Sequence, residues 1–359
     1  MAWAFRIVPQ PGELLSSYLC RAAAAHGASP YSFCRTHLED AAFWARDVDR
    51  GVARWHESNF CELAQVDLEA VRQMTLSTWA AALTPTGYRS GAMAAVVPWI
   101  NAAGIFHRTR RLHALQYCPE CLVERGSFSR HWRLSFVVAC DRHRRMLFDS
   151  CPRCDAPIIP HRSHASGLRC HACSASLSHA RHGNELQEIV LELQQALCAR
   201  LEAATACEDD GARADLHGVR LLASSLLAAH RIERTMAVLS VGDEEMPRHG
   251  HRGRRLEFAR LPVRLRNLQV CARVLQEWPS AFRSLADQLS LRREDFSVPF
   301  PLAGWLASEV DRLPSRRMRT QPRPGSRVAQ RLEALRERQP SNWRGLHAAL
   351  MMRAAGCRP

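Results

Sequence analysis

The sequence predicts a mainly α-helical protein with small β elements: an N-terminal helical, helix-turn-helix-like domain, two tandem cysteine-rich ribbons and a C-terminal helical domain. Three observations predict it. Apolar residues recur at helical spacing through the first third of the chain and again after residue 184. Between these stretches, eight residues of metal-ligand type, Cys118, Cys121, Cys140, His143, Cys151, Cys154, Cys170 and Cys173, fall within 56 positions. The whole chain of 359 residues is basic, with a net charge of +14. We divide it into residues 1–112 (helical), 113–180 (ribbons), 181–311 (helical) and 312–359 (basic linker and terminal helices).

The first helix is expected over Glu13 to His26, where Leu14, Leu15, Tyr18, Leu19 and Ala22 share a face and Gly27 can end it in a left-handed cap. A second starts at once, with Ser29 as N-cap, Pro30 in the first turn, and Tyr31, Phe33, Cys34 and Leu38 inside. Helix, glycine turn and helix suggest a DNA-reading helix-turn-helix. An ordinary packed hairpin fits equally, since Arg35, Thr36 and His37 are the only polar residues offered. A second hairpin is expected from Asn59–Gln65 and Asp67–Thr75, with Phe43, Trp44, Trp55 and Phe60 as its core.

In the ribbon region each ligand pair has two intervening residues, the spacing at which a tight turn presents two side chains to one ion. Cys118 and Cys121 find partners in Cys140 and His143 after 18 residues; Cys151 and Cys154 find theirs in Cys170 and Cys173 after 15. The expectation is two structural Zn²⁺ ions, in a Cys₃His site and a Cys₄ site. Four protein ligands leave no open position for water, which separates structural from catalytic zinc. Disulfides are the alternative, but no secretory leader is recognisable and reducing compartments keep thiols free. Interleaved pairing also satisfies the spacing. Trp132, Leu134, Phe136 and Val138 alternate as along a strand, which would turn Arg133 and Ser135 to its other face. A two-stranded ribbon buries too little surface to stand alone, so metal loss should unfold 116–178 first.

Several segments around the ligands belong together. Gln116-Tyr117-Cys118-Pro119-Glu120-Cys121-Leu122, His131-Trp132-Arg133-Leu134-Ser135-Phe136, Cys140-Asp141-Arg142-His143 and Cys151-Pro152-Arg153-Cys154 follow one another in an order that closely resembles the TniQ/TnsD family of transposon target-selection proteins. Pro11-Gly12-Glu13 with Ser17 and Arg21 resembles the family's opening segment, and Asp47-Val48-Asp49 and Met74-Thr75-Leu76 extend the likeness. It covers about residues 5–180. The resemblance implies a non-catalytic adaptor that links a target-recognition module to an AAA+ transposition ATPase and transposase. That module is attachment-site DNA in some members and the CRISPR RNA-guided Cascade complex with its guide RNA, bound by a TniQ homodimer, in others. The competing classes are a stand-alone sequence-specific DNA-binding regulator with structural zincs, and a zinc deaminase suggested by His37-Leu38-Glu39. The latter segment lies far from Cys118, and both ligand sets are already filled.

Past the ribbons, Leu186, Ile189, Val190, Leu193 and Leu197 mark a long helix, broken at Glu208-Asp209-Asp210-Gly211 and resumed from Ala212; Leu221, Leu222, Leu226, Leu227 and Ile232 outline another. Gly242 to Arg255 reads as a basic loop. Phe282 to Phe296 resembles a helix-turn-helix core with Ala286 and Leu289 inward, although Ser290 stands for the turn glycine and Pro299 and Pro301 shorten the second helix. From Arg312 to Leu332 there is no acidic residue, and helices are expected at Val328–Arg338 and Trp343–Ala355.

All 49 basic residues are arginines, so Walker A phosphate loops, Schiff bases and lysine general bases are excluded, and any ATP hydrolysis must come from a partner. The charge predicts a phosphate-rich partner, most simply DNA. The candidate contacts with nucleic acid or a protein partner are Arg142, Arg144, Arg145 and Arg153 on the ribbons and Arg316, Arg317, Arg319 and Arg323 in the linker. Cys20, Cys34, Cys61, Cys198, Cys207, Cys271 and Cys357 lack paired spacing and read as packing or free thiols. With no apolar run of membrane-spanning length, no membrane partner is expected, and a bacterial cytoplasmic location is.

Overall fold

Helix α1 (Leu15–Ala25) ends as its sequence dictates. Gly27 takes φ +65°, the Ala28 N–H donates to Ala23 O (2.9 Å) and the Gly27 N–H to Ala24 O (3.0 Å), the paired bonds of a Schellman cap. Helix α2 (Pro30–Leu38) starts two residues later, with the Ser29 hydroxyl accepting from the Ser32 N–H at 3.1 Å. Helices α3 (Arg54–Ala64) and α4 (Leu68–Gln73) form the second hairpin, α4 capped by Asp67. Helix α5 (Ser77–Leu83) follows. Leu15, Tyr18, Leu19, Phe33, Phe43, Trp44, Phe60 and Val71 close the first apolar core. The side chain of Trp55 is outside the described set.

The computed structural model describes residues 2–51, 54–84, 96–106, 109–163, 167–180, 187–228, 231–239, 255–298, 300–315 and 330. Arg316, Arg317, Arg319, Arg323, both expected terminal helices, Cys357 and all but the end of the Gly242–Arg255 loop therefore lie outside the described residues. Residues 1–313 form one compact unit and 314–359 a second.

Strands are short. β1 (Ile105–Phe106) pairs with β2 (Thr109–Arg110), Ile105 opposite Arg110; β3 (Ala139–Cys140) pairs with β4 (Arg145–Met146), Cys140 opposite Arg145. Both pairs are antiparallel. Helix α6 (Pro119–Arg125) lies between them and stops at Gly126 in the left-handed region. The alternating run Trp132–Val138 is not a strand: residues 130–133 make a 3₁₀ turn, and Arg133 and Ser135 are both buried. The reason is electrostatic. Arg133 donates to both Asp47 carboxylate oxygens (3.0 and 2.5 Å), to Asp49 Oδ2 (2.9 Å) and to Asn101 O (3.0 Å), so its face of the chain is interior too.

The C-terminal helices are α7 (Glu188–Ala206), α8 (Asp210–Leu226), α9 (Ile232–Val238), α10 (Leu261–Gln276), α11 (Ser280–Leu289) and α12 (Gly304–Val310). The polar break caps rather than interrupts: Asp209 Oδ1 accepts from the Gly211 and Ala212 N–H groups, so α8 already includes Asp210 and runs on through Leu221, Leu222 and Leu226. Ala286 and Leu289 do face inward, and Ser290 takes the left-handed turn at φ +53°. The expected recognition helix does not follow. A single 3₁₀ turn at 293–296, closed by the Asp295 carboxylate on the Arg292 N–H (2.9 Å), drives Phe296 into the core instead.

The ribbons share a core with the helices. One cluster joins Leu14, Trp79, Trp99, Tyr117, Phe128, Phe136 and the ligand Cys118 to Val190, Leu197, Leu216 and Leu268. A third cluster gathers Leu222, Val270, Phe282, Phe296 and Leu306. Among the described residues no helix is long and apolar enough to cross a membrane.

Candidate metal centres

The eight predicted ligands assemble into two groups, Cys118/Cys121/Cys140/His143 and Cys151/Cys154/Cys170/Cys173, with the ligand atoms of each group within 4.8 Å of one another. The pairing is sequential, not interleaved, and no disulfide joins these sulfurs.

Each pair is set by its local backbone. Cys118 is the N-cap of α6, Pro119 occupies the first turn, and Cys121 projects from the same turn. The other three pairs use a reverse turn that ends in a left-handed residue directly after the second ligand: Arg144 (φ +52°), Asp155 (+55°) and Ser174 (+57°). That conformation costs Arg144 and Ser174 more than it costs Asp155, since Asn and Asp tolerate it best. Backbone bonds close the turns: Asp155 N to Cys151 O (2.8 Å) and Ser174 N to Cys170 O (2.9 Å). Two N–H groups also point at ligand sulfur, His143 N at Cys140 Sγ and Ala172 N at Cys170 Sγ, both 3.4 Å.

The ligand geometry fits zinc. Four ligands at the usual zinc distances require sulfur–sulfur edges of about 3.8 Å and sulfur–nitrogen edges of about 3.5 Å. In the first group Cys121 Sγ lies 3.5 Å from Cys140 Sγ, and His143 Nδ1 lies 3.4, 3.3 and 3.4 Å from the sulfurs of Cys118, Cys121 and Cys140. In the second, Cys151–Cys173 and Cys154–Cys170 are each 3.6 Å.

Charge in the first group is unevenly shared. The Cys140 sulfur takes hydrogen bonds from the Cys118 and Cys121 thiols, which holds its pKa far below that of a thiol, and Cys118 is pushed up correspondingly. A cation with four ligands takes the place of those shared protons. The unused nitrogen of His143, Nε2, faces Glu124 Oε1 at 3.2 Å, and this carboxylate fixes which ring nitrogen turns to the metal. Sequence reasoning missed Glu124; its place on α6, three residues after Cys121, was the available signal.

The two centres differ in setting. Cys118, Cys121 and Cys140 are buried in the shared core, and α7 reaches over them: Gln194 accepts from the Val138 and Ala139 N–H groups (2.8 and 3.0 Å) and donates to Ala139 O (3.0 Å). The second centre is nearer the surface, with Cys154 exposed. It is tied to α10 by Arg260, whose guanidinium reaches Asp155 (2.8 Å) and Asp149 (3.2 Å). That bond from Arg260 holds the Asp155 pKa down at about 2.

Of the proposed contact arginines, three are exposed but face carboxylates: Arg142 with Glu124 (3.2 Å), Arg145 with Glu120 (4.0 Å), and Arg144 with Glu188. Exposed pairs of this kind exchange readily for other anions. Arg153 is exposed beside Cys154.

The residues of the family likeness also meet in space. Glu13 accepts from Ser17 Oγ (3.1 Å) and Arg21 (2.6 Å), and Asp49 accepts from the Ser16 N–H (2.8 Å) and from Arg133 and Arg110. Both carboxylates are buried, and their hydrogen bonds make a polar frame inside the fold. The family model for TniQ matches residues 4–147, which contain this frame and all four ligands of the first centre. No curated protein matches the chain. The chain thus carries a TniQ domain over residues 4–147.

Proposed function

We propose that this protein is a non-catalytic adaptor of DNA transposition, linking a target-recognition module to the AAA+ regulator and transposase. The TniQ domain supports a transposition-associated targeting role in general, and the match over 4–147 is the observation that carries the reading. Two features of the chain favour an adaptor. Each ligand group offers four protein atoms to one ion, which would leave no position for a reacting water, and a chain without lysine has no Walker A phosphate loop. The partners of this reading are the AAA+ ATPase, DNA or a Cascade complex with guide RNA, and a second copy of the chain.

A transposition assay in a strain carrying the element tests it. Deleting the gene should abolish insertion at the preferred target, and the tagged protein should retain the ATPase on affinity purification. Unchanged insertion frequency and site distribution after deletion would overturn the proposal and favour the stand-alone regulator. Guide RNA in the purified complex would assign RNA-directed targeting; target DNA without RNA would assign direct reading.

A further inference from the structure

A cavity of about 570 Å³ opens between the start of α2 and the 3₁₀ turn at 160–162. Its base is rigid. The rings of Trp44 and His161 stack with centroids 4.4 Å apart and planes 6° from parallel, and the indole N–H of Trp44 is fixed on Pro30 O at 3.2 Å. The rim carries the half-buried ring of Tyr31, the exposed guanidinium of Arg162, and His171 from the Cys170–Cys173 turn. Among the described residues none that lines it is acidic.

That lining selects a ligand with a flat π-face and a negative charge. The volume lies within the range of small-ligand sites and is far too small for a duplex. A base inside a duplex, stacked and paired, cannot enter such a cavity without being extruded. The chain's charge of +14 favours a strand of nucleic acid over a free metabolite.

We infer that this cleft seats one unpaired nucleotide of a single strand, its base stacked on Tyr31 and its phosphate against Arg162. The inference shares with the adaptor reading only the expectation of a nucleic-acid partner.

Fluorescence anisotropy on the full zinc-loaded chain tests this with short oligothymidylate, oligouridylate and duplex DNA. Tyr31→Ala should weaken single-strand binding by roughly 5- to 150-fold, the worth of one stacked base. Tyr31→Phe should retain binding. Arg162→Ala should weaken it too and lower the salt slope by about 0.7, the share of one phosphate on a single strand. Duplex binding should be unchanged by all three. Preference for thymidylate or for uridylate supports the site and identifies DNA or RNA as the source. Single-strand affinity no greater than duplex affinity, or an Arg162→Ala protein that binds single strands as the parent does, overturns it. Arg162 is exposed, so that variant decides the matter even if Tyr31→Ala fails to fold. Failure of the transposition assay with oligonucleotide binding intact would overturn the adaptor reading alone.

Discussion

Replacing Arg133 by alanine removes the cation that buried Asp49 and part-buried Asp47 share. The guanidinium is fully buried, and its hydrogen bonds run to Asp47, Asp49 and the Asn101 carbonyl. Charge-assisted bonds are worth about 1.5–3 kcal/mol each, but desolvating the guanidinium returns much of that sum. Removing one member of a buried pair costs about 3–5 kcal/mol, because the remaining charges stay in low dielectric. Arg110 remains, at 3.7 Å from Asp47 and 3.4 Å from Asp49, too far to replace the lost bonds. The expected loss is therefore about 3–5 kcal/mol, a large part of the ordinary stability of a folded protein.

The pH dependence sharpens the test. Burial alone would raise the Asp47 pKa; the charges of Arg133 and then Arg110 outweigh it and hold it at about 2. A carboxyl depressed below its unfolded value of about 3.9 contributes about 2–3 kcal/mol above that value and loses it as pH falls toward 2. Without Arg133, burial dominates and the pKa moves upward. The variant then regains stability as pH falls through the raised value, and its deficit should shrink between neutral pH and about pH 5. Guanidinium unfolding followed by tryptophan fluorescence measures both quantities. A deficit under about 1 kcal/mol, or one that is constant or grows toward acid, would refute the reasoning.

Further outcomes follow from the same structure. Cys118→Ser and Cys170→Ser should each release one of two zinc ions in a chelator-dye titration, while Cys207→Ser, an exposed thiol in neither group, should release none. Glu124→Gln should weaken metal at the first centre about 10-fold, the lower end of the usual effect because the carboxylate is part-exposed, and leave the second centre unchanged by competition with a chelator. Gly27→Ala should cost about 1 kcal/mol in thermal or chemical unfolding, since φ +65° strains any side chain there although nothing lies within 4 Å of the added Cβ.

The metal ligands were legible because their signal is local: two residues between partners define a turn whatever the rest of the chain does. The N-terminal hairpin was legible for the same reason, through Gly27, Ser29 and Pro30. The buried frame was not. Asp47 and Asp49 are separated from Arg110 and Arg133 by 61 to 86 positions, and nothing near Arg133 announces an acid. Alternation from Trp132 to Val138 therefore suggested a strand with a wet face, whereas both faces are interior. The C-terminal helix-turn-helix failed at its second half, where Asp295 closes a single turn and Phe296 is worth more to the core than a longer helix.

Gln194 and Trp99 bear on how such chains are divided. The match to the family model ends at residue 147, yet the backbone groups of Val138 and Ala139 are satisfied by an amide from α7, and Trp99 depends on residues further on: its N–H meets Glu257 Oε1 (2.9 Å) and its indole meets Leu216 O (2.9 Å). A fragment cut where the match ends would expose those amides and leave Trp99, at φ +63°, without the partners of its backbone and indole N–H groups. The recurring segment and the unit that folds cooperatively are of different lengths here. Grafting the matched part alone onto another protein would transplant a surface without its support, so any exchange should respect the helices beyond it.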